Sequence, residues 1–134
     1  MTKREFIIRQ IAKTNKKNYE NYVVTRIYHL LNRTDVKFIT QQYINRPEGH
    51  ALTDMYFPQI KFHVEIDEPY HNKQIDSDIR RETDIIQATN HHVSRIKITE
   101  DLDCINQQIT ILIEQIRHKI KLLEKNKQWE PWDL

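Results

Sequence analysis

The chain has 134 residues, of which 38% are hydrophobic and 30% are charged, and its formal net charge is +2. This composition predicts one globular domain and excludes intrinsic disorder. The longest apolar runs are only a few residues, too short to cross a bilayer, and the first residues lack the small-residue cleavage site of a secretory signal. We therefore expect a protein of the cytoplasm with no membrane partner.

Two residue types are nearly absent, and this excludes several kinds of site. Cys104 is the only cysteine, so an internal disulfide and a cysteine-based zinc site are excluded. Gly49 is the only glycine, which excludes a glycine-rich phosphate loop and the dinucleotide fingerprint. Any contact with phosphate must therefore come from side chains, ordinary backbone or a metal ion.

The first half of the chain predicts two helices followed by three strands. Phe6, Ile7 and Ile11 fit a short first helix. Apolar residues spaced by three and four then predict a second helix, at Tyr19, Tyr22, Val23, Ile27, Leu30 and Leu31. Segments rich in β-branched and aromatic residues predict strands at 36–44, 51–57 and 60–67. The short links between them indicate an antiparallel meander.

The second half predicts a helix over 76–89, a strand at 93–98 and a long amphipathic helix over 101–125. The helical crossover favours a parallel pairing of the fourth strand. Thr99 is expected to cap the long helix, which at 1.5 Å per residue would be roughly 35 Å long. Residues 126–134 form either a docked tail or the start of a linker. The order of elements predicts an α/β fold with a mixed sheet flanked by helices.

Basic residues crowd both ends of the chain, and carboxylates lie between them. The basic groups are Lys3, Arg4, Arg9, Lys13, Lys16 and Lys17 near the start, and Arg117, Lys119, Lys121, Lys125 and Lys127 near the end. Basic flanks around an acidic centre suit a polyanion held over a metal site. Solvated helix surfaces are the alternative interpretation of the same lysines.

The acidic centre lies on the predicted strands 51–57 and 60–67. Alternation places Glu65 and Asp67 on one strand face with Lys61 and His63, and places Asp54 on a face with Leu52 and Tyr56. Clustered carboxylates repel one another unless a cation intervenes, and Mg²⁺ prefers such oxygen ligands. His71 follows the strand and would accept a proton from an attacking water. The alternatives are surface ion pairs for Glu65 and Asp67 and a turn cap for His71.

These motifs carry a family resemblance. The segments TDMYFPQ and VEIDEPYH, with Asp78 and Arg80 on a helix and then VSRIKI, resemble the PD-(D/E)XK nuclease superfamily, and within it the very-short-patch repair endonucleases. The segment ENYVVTRIYHLLNRTDVKFITQQY resembles the cleavage domain of restriction endonucleases that cut DNA containing 5-hydroxymethylcytosine. The resemblance spans residues 15–100 and implies a restriction-endonuclease-like αβββαβ core with a long C-terminal helix.

The resemblance also implies roles for single residues. Asp54 would bind the metal, and the Ile66 carbonyl, Glu65 or Asp67 would supply further oxygens. Glu20 would orient water or metal, and His71 would be the general base. The residues expected to contact DNA are Gln41, Gln42, Lys16, Lys17, Arg26 and Lys73. The usual lysine of the superfamily is replaced by Asp67, which leaves its task to His71 or Lys73, and the structural zinc of the repair enzymes is not expected.

We therefore predict a single nuclease domain over 1–134, with an N-terminal helix at 1–17, a core at 18–100, a long helix at 101–125 and a tail at 126–134. It would be an isolated cleavage domain or a shortened relative. Its cofactor would be Mg²⁺, with Mn²⁺ as an alternative, and its partner double-stranded DNA with or without modified cytosine. A homodimer would use any exposed part of the stripe 105–120. The rival predictions are a non-catalytic DNA-binding or assembly module, and a nuclease for RNA or Holliday junctions.

Overall fold

The computed structural model describes residues 1–15, 17–47, 49–68, 80 and 83–133. The helices are α1 (Lys3–Ala12), α2 (Asn18–Leu31) and α3 (Leu102–Lys125), and the strands are β1 (Ile39–Arg46), β2 (Gly49–Phe57), β3 (Phe62–Asp67) and β4 (His92–Lys97). Residues 83–87 are also helical. The sheet order is β1-β2-β3-β4. Both β1–β2 and β2–β3 are antiparallel, whereas β3 and β4 are parallel, which confirms the predicted fold class.

The helix termini follow from local side-chain chemistry. Thr2 and Glu5 form a capping box at the start of α1, which satisfies backbone N–H groups that have no partner within the helix. Helix α2 ends at Asn32, whose φ of 50° is left-handed. The prediction that Thr99 caps α3 is wrong: the cap is Asp101, whose carboxylate accepts from the Asp103 N–H. The Thr99 hydroxyl instead accepts from the Asp101 N–H and so helps to position the capping residue Asp101.

The main core lies where α2 and α3 pack on one face of the sheet. The predicted stripe of α3 is buried, at Ile105, Ile109, Leu112, Ile113, Ile116 and Ile120. It packs with Val23, Val24 and Ile27 of α2 and with apolar residues of β2 and β3. This stripe is therefore part of the core. A homodimer that uses an exposed part of it stays a prediction, because these residues are buried. No helix among the described residues is long and apolar enough to span a bilayer.

The tail is docked on the domain. The Trp132 N–H donates to the Asp35 carbonyl at 2.8 Å, and the Trp129 indole N–H donates to the Asp35 carboxylate at 3.1 Å. Trp132 also packs against Phe6 with ring centroids 5.3 Å apart. Of the two alternatives for this segment, docking is the one observed for residues 129–132.

Strand β2 changes the face that it presents to the main core. Ala51 packs with Ile85 and Ile86 in a small second cluster, whereas Met55 belongs to the main core. Regular alternation would put Ala51 and Met55 on the same face. The change coincides with Gln41 on β1, which has a φ of 54° and lies between the paired residues Thr40↔Met55 and Gln42↔Thr53. Burial nevertheless alternates along β2 as predicted, since Ala51, Thr53, Met55 and Phe57 are buried and the residues between them are not.

The link between β2 and β3 also differs from the prediction. Residues Pro58–Ile60 form a 3₁₀ turn that ends at Lys61, so the strand predicted from 60 begins at Phe62. Proline at the first position of the turn has the fixed φ that such a turn needs. Lys61 has a left-handed φ of 51°, which ends the turn and redirects the chain into β3.

The buried amide of Gln10 fastens α1 to β1. Its Oε1 accepts from the Thr40 N–H at 2.9 Å, and Gln10 is 3% exposed. We expect Gln10→Ala to lower the free energy of unfolding by about 1–3 kcal/mol, because a buried N–H of β1 would lose its partner. Thermal unfolding measures this, with Gln107→Ala on the exposed side of α3 as a control that should change little. Equal stabilities of the two variants would contradict the assigned role.

Candidate active site

Three carboxyl side chains from three elements meet at the middle of the sheet. Asp54 lies on β2, Glu65 on β3 and Glu20 in the first turn of α2. The β2–β3 pairing ends at Met55↔Val64, and just beyond it the Asp54 carboxyl is hydrogen-bonded to Glu20 and lies within the electrostatic influence of Glu65. Glu20 is 2% exposed and Glu65 is 6% exposed. The predicted association of Asp54 with Glu65 and with Glu20 is thus present in the geometry, whereas the roles of these residues stay predictions.

Asp54 occupies the place where β2 and β3 separate. The observed pairing of the two strands extends from Phe57↔Phe62 to Met55↔Val64. Just beyond it, the Asp54 carboxylate accepts from the Ile66 N–H at 2.6 Å. The Asp54 side chain therefore supplies the acceptor for the Ile66 N–H, which would otherwise have needed an acceptor on a neighbouring strand. This bond fixes the position of the Asp54 carboxyl against the end of β3.

The surroundings of Asp54 disfavour its charge. Burial, a hydrogen bond with the Glu20 carboxyl and the negative charge of Glu65 raise the pKa of Asp54 to about 9, against the opposing effect of the Ile66 N–H. A raised pKa of this kind is the expected result of gathering carboxyl groups in a low-dielectric setting. At neutral pH Asp54 therefore carries a proton unless another positive charge replaces it.

The donor set fits a hard divalent cation in chemical type. All three groups offer carboxyl oxygens, the ligands that Mg²⁺ prefers. The Oε2 of Glu20 is buried and has no hydrogen-bond partner among the described residues, so an oxygen is left over in the interior of the cluster. The spacing is not yet that of a bound ion, because no group of three or more His, Cys, Asp or Glu side chains in the described ranges has its donors gathered closely enough to hold a metal.

Asp67 lies outside this cluster. Its carboxylate forms an ion pair with Arg95 of β4 at 2.9 Å, and Arg95 also donates to Thr83. The sequence left open a metal role or an ion pair with a basic residue, and the ion pair is the contact observed. Arg95 therefore competes with any cation for Asp67, whereas no such ion pair engages Asp54 or Glu20 among the described residues.

The residues predicted to contact DNA are spread over the domain. The amide of Gln41 donates to the Lys13 carbonyl, and that of Gln42 donates to the Tyr43 carbonyl, so both are engaged within the protein. Lys17 is exposed at the start of α2, and Arg26 is half-buried on the same helix, with an Nε that has no partner among the described residues. The predicted residues that lie outside the described residues are His71, Lys16, Lys73 and Asp78.

A buried histidine next to the acidic cluster was not predicted as such. His63 was predicted on the polar face of its strand, yet it is fully buried and stacks on Tyr56 with ring centroids 4.1 Å apart. Its Nε2 lies 2.8 Å from the Nδ1 of His91, and its Nδ1 lies 3.2 Å from the Thr53 hydroxyl. Burial, with a smaller contribution from His91, lowers the pKa of His63 to about 3. Alternation indicated the shared face with Glu65, but no sequence signal indicated the contact with His91.

A mixed sheet covered by helices, with buried carboxyl groups where two strands separate, defines a domain of the restriction-endonuclease class. Residues 4–130 match the family described as "Restriction endonuclease PvuRts1 I-like, N-terminal", and the chain belongs to this family.

Among solved structures, the fold is similar to "The 5-Hydroxymethylcytosine-Specific Restriction Enzyme AbaSI", with a TM-score of 0.77 and 32% sequence identity. The match covers 97% of this chain and 50% of that chain, so this chain spans about half the length of that enzyme. No curated protein sequence matches the chain. The family and the structural match bear out the resemblance to modification-dependent restriction enzymes, whereas membership of the very-short-patch repair branch stays a prediction.

Proposed function

We propose that this domain is the cleavage domain of a metal-dependent DNA endonuclease of the PD-(D/E)XK type. The observation that carries the proposal is the convergence of the Glu20, Asp54 and Glu65 carboxyls at the separation of β2 and β3. Buried acidic groups placed against one another are costly for stability. A cleavage site that uses a cation gives a reason for their presence, because the cation removes their repulsion.

Asp54, Glu65 and Glu20 would hold Mg²⁺, with Mn²⁺ as the alternative ion. When bound, the cation would lower the pKa of a coordinated water and shield the charge of the scissile phosphate. The Ile66 N–H keeps the Asp54 carboxyl in position, and Glu20 orients the attacking water. Asp67 serves as a ligand only by releasing Arg95. His71 accepts the proton of the water, in place of the lysine that this chain lacks at position 67.

The proposed substrate is double-stranded DNA with a modified cytosine. The support comes from the similar restriction enzyme, which is described as specific for 5-hydroxymethylcytosine. Since this chain spans half the length of that enzyme, we assign cutting of DNA to this domain and do not assign it recognition of the modified base. We further propose action in the cytoplasm and as a homodimer, in which each copy would cut one strand.

Incubation of the protein with duplexes that contain 5-hydroxymethylcytosine or cytosine, with and without Mg²⁺, tests the proposal. We expect Mg²⁺-dependent cutting, and we expect His71→Ala to slow it by about 10²–10⁴-fold because a general base contributes that much. His118→Ala, on the exposed side of α3, is the matched control and should cut at the wild-type rate.

Salt-sensitive binding of the duplexes without metal-dependent cutting would overturn the proposal in favour of a non-catalytic DNA-binding module. With RNA and four-way junctions added as further substrates, preferential cutting of either would favour the other rival. The metal chemistry would then stand, and the substrate assignment would be wrong.

A further inference from the structure

A second polar site lies at the opposite end of β3 from the acidic cluster. It is a pocket of about 350 Å³, lined at its polar positions by Lys61, Lys119, His91, His92, Gln87 and Asn90. Every one of these side chains can donate a hydrogen bond. No carboxylate from the described part of the chain lines it, so its chemistry is the reverse of that of the acidic cluster.

The two lysines of this pocket act on its two histidines. Burial and the charge of Lys61 lower the pKa of His91, and burial and the charge of Lys119 lower the pKa of His92. Neither lysine forms an ion pair with a residue that the structure describes. An anion between Lys61 and Lys119 would offset the charge of both lysines, and a phosphate offers several oxygens to several donors at once.

The backbone holds two of the lining residues in the left-handed region. Lys61 has a φ of 51° and Asn90 a φ of 68°. Asparagine tolerates the left-handed region, but a lysine there is less favourable than glycine. The Lys61 carbonyl accepts from the His92 N–H at 2.9 Å, which links the two edges of the pocket. A lysine at a position where glycine would fold more easily is explained if its side chain binds a ligand.

One ring of the pocket is already oriented. The Nδ1 of His91 lies 2.8 Å from His63, and its ring stacks on Tyr56 with centroids 5.6 Å apart. His63 is itself fixed by Thr53 at 3.2 Å. With Nδ1 engaged, Nε2 is the ring nitrogen of His91 left for a ligand. A preoriented donor loses less entropy on binding than a free side chain does.

We infer that this pocket is a phosphate-binding site, separate from the place of cleavage. This role is distinct from the proposed cutting activity, because a phosphate bound in this pocket would not be hydrolysed. Lys61 and Glu65 are four residues apart on the chain, a separation of roughly 13 Å at the rise of a strand. The major groove of B-DNA is about 12 Å wide, so a second backbone phosphate of a bound duplex is one source of the ligand. Free phosphate is the other.

The experiment uses two probes, inorganic phosphate and a 20-base-pair duplex, both in EDTA so that no cutting occurs. The test variant is Lys61→Gly with Lys119→Gln, since glycine suits the backbone at position 61. The control is Lys121→Gln, which removes one charge from an exposed neighbouring position of α3. Backbone amide shifts follow phosphate binding at constant ionic strength, fluorescence anisotropy follows duplex binding, and thermal unfolding verifies that each variant is folded.

We expect phosphate to shift the amides of residues 61, 87–92 and 119, and the double variant to bind it at least tenfold more weakly than the control does. For the duplex, we expect a dissociation constant that rises roughly tenfold and a salt slope that falls by about 2, one counterion for each lost lysine. Loss of phosphate binding with unchanged duplex binding would support the site and assign free phosphate as its ligand. Phosphate and duplex binding equal to the control would overturn the inference, whether or not the protein cuts DNA.

Discussion

Asp54→Asn is expected to abolish cleavage of modified DNA while raising the thermal stability of the protein at neutral pH. The amide keeps an oxygen that accepts from the Ile66 N–H, a bond of 2.6 Å in the wild type, so the end of β3 stays in place. It cannot bind a divalent cation as a carboxylate does. We expect the rate to fall by about 10³-fold or more, which corresponds to roughly 4 kcal/mol of transition-state stabilisation.

The gain in stability follows from the sign of the pKa shift. The pKa of Asp54 in the folded protein is raised to about 9, above its ordinary value of about 3.9. The folded state therefore holds a proton that the unfolded state has lost, and stability falls as the pH rises through the window between these values. Asparagine has no proton to lose, so the variant should show a flatter dependence on pH.

Thermal unfolding at pH 5 and pH 8, without divalent cations, measures the effect. We expect the variant to melt about 3–5 °C above the wild type at pH 8, and to differ less at pH 5. Asp84→Asn, at an exposed position of the helical segment 83–87, should leave both the melting temperature and the cleavage rate unchanged. A variant that melts below the wild type at pH 8 would show that the surroundings of Asp54 stabilise its carboxylate, which contradicts the raised pKa.

Features that depend on local periodicity could be predicted from the sequence. The stripe of α3 repeats at three and four residues because one helix face is buried, and it is buried in the structure. The parallel pairing of the fourth strand followed from the helical crossover, but the choice of β3 as its neighbour did not. Because β4 lies beside β3, Arg95 can reach Asp67. The contact is diagonal, since the register of the parallel pair places Glu65 beside Arg95 and Asp67 beside Lys97.

The acidic cluster itself depends on features that local pattern does not encode. Glu20 meets Asp54 across two elements that are far apart in sequence, and only the family resemblance pointed to it. The exchange of faces along β2 arises beside the left-handed backbone of Gln41, a residue type with no strong preference for that conformation. A regular alternation of side chains placed Asp54 with Leu52 and Tyr56, and could not have revealed the hydrogen bond from Ile66 that fixes its carboxyl.

Binding of a divalent cation is expected to displace the proton of Asp54. The cation requires the carboxylate form, whereas the metal-free site favours the protonated form because of burial, Glu20 and Glu65. Calorimetric titration with Mg²⁺, or with Ca²⁺ as an ion of the same charge, in two buffers of different ionisation enthalpy should therefore give about one proton released per ion at pH 7. The apparent affinity should rise by about tenfold per pH unit toward pH 9.

The same ion should stabilise the fold in proportion to its affinity. At a concentration 100 times the dissociation constant, we expect a gain of about 2.7 kcal/mol in the free energy of unfolding. Asp54→Asn should show neither the proton release nor most of this gain, whereas Asp84→Asn should behave as the wild type does. Proton release of zero, with normal binding of the ion, would mean that the ion avoids Asp54. The burial of three carboxyl groups together would then need an explanation other than cleavage, because the bound ion would not neutralise the charge of Asp54.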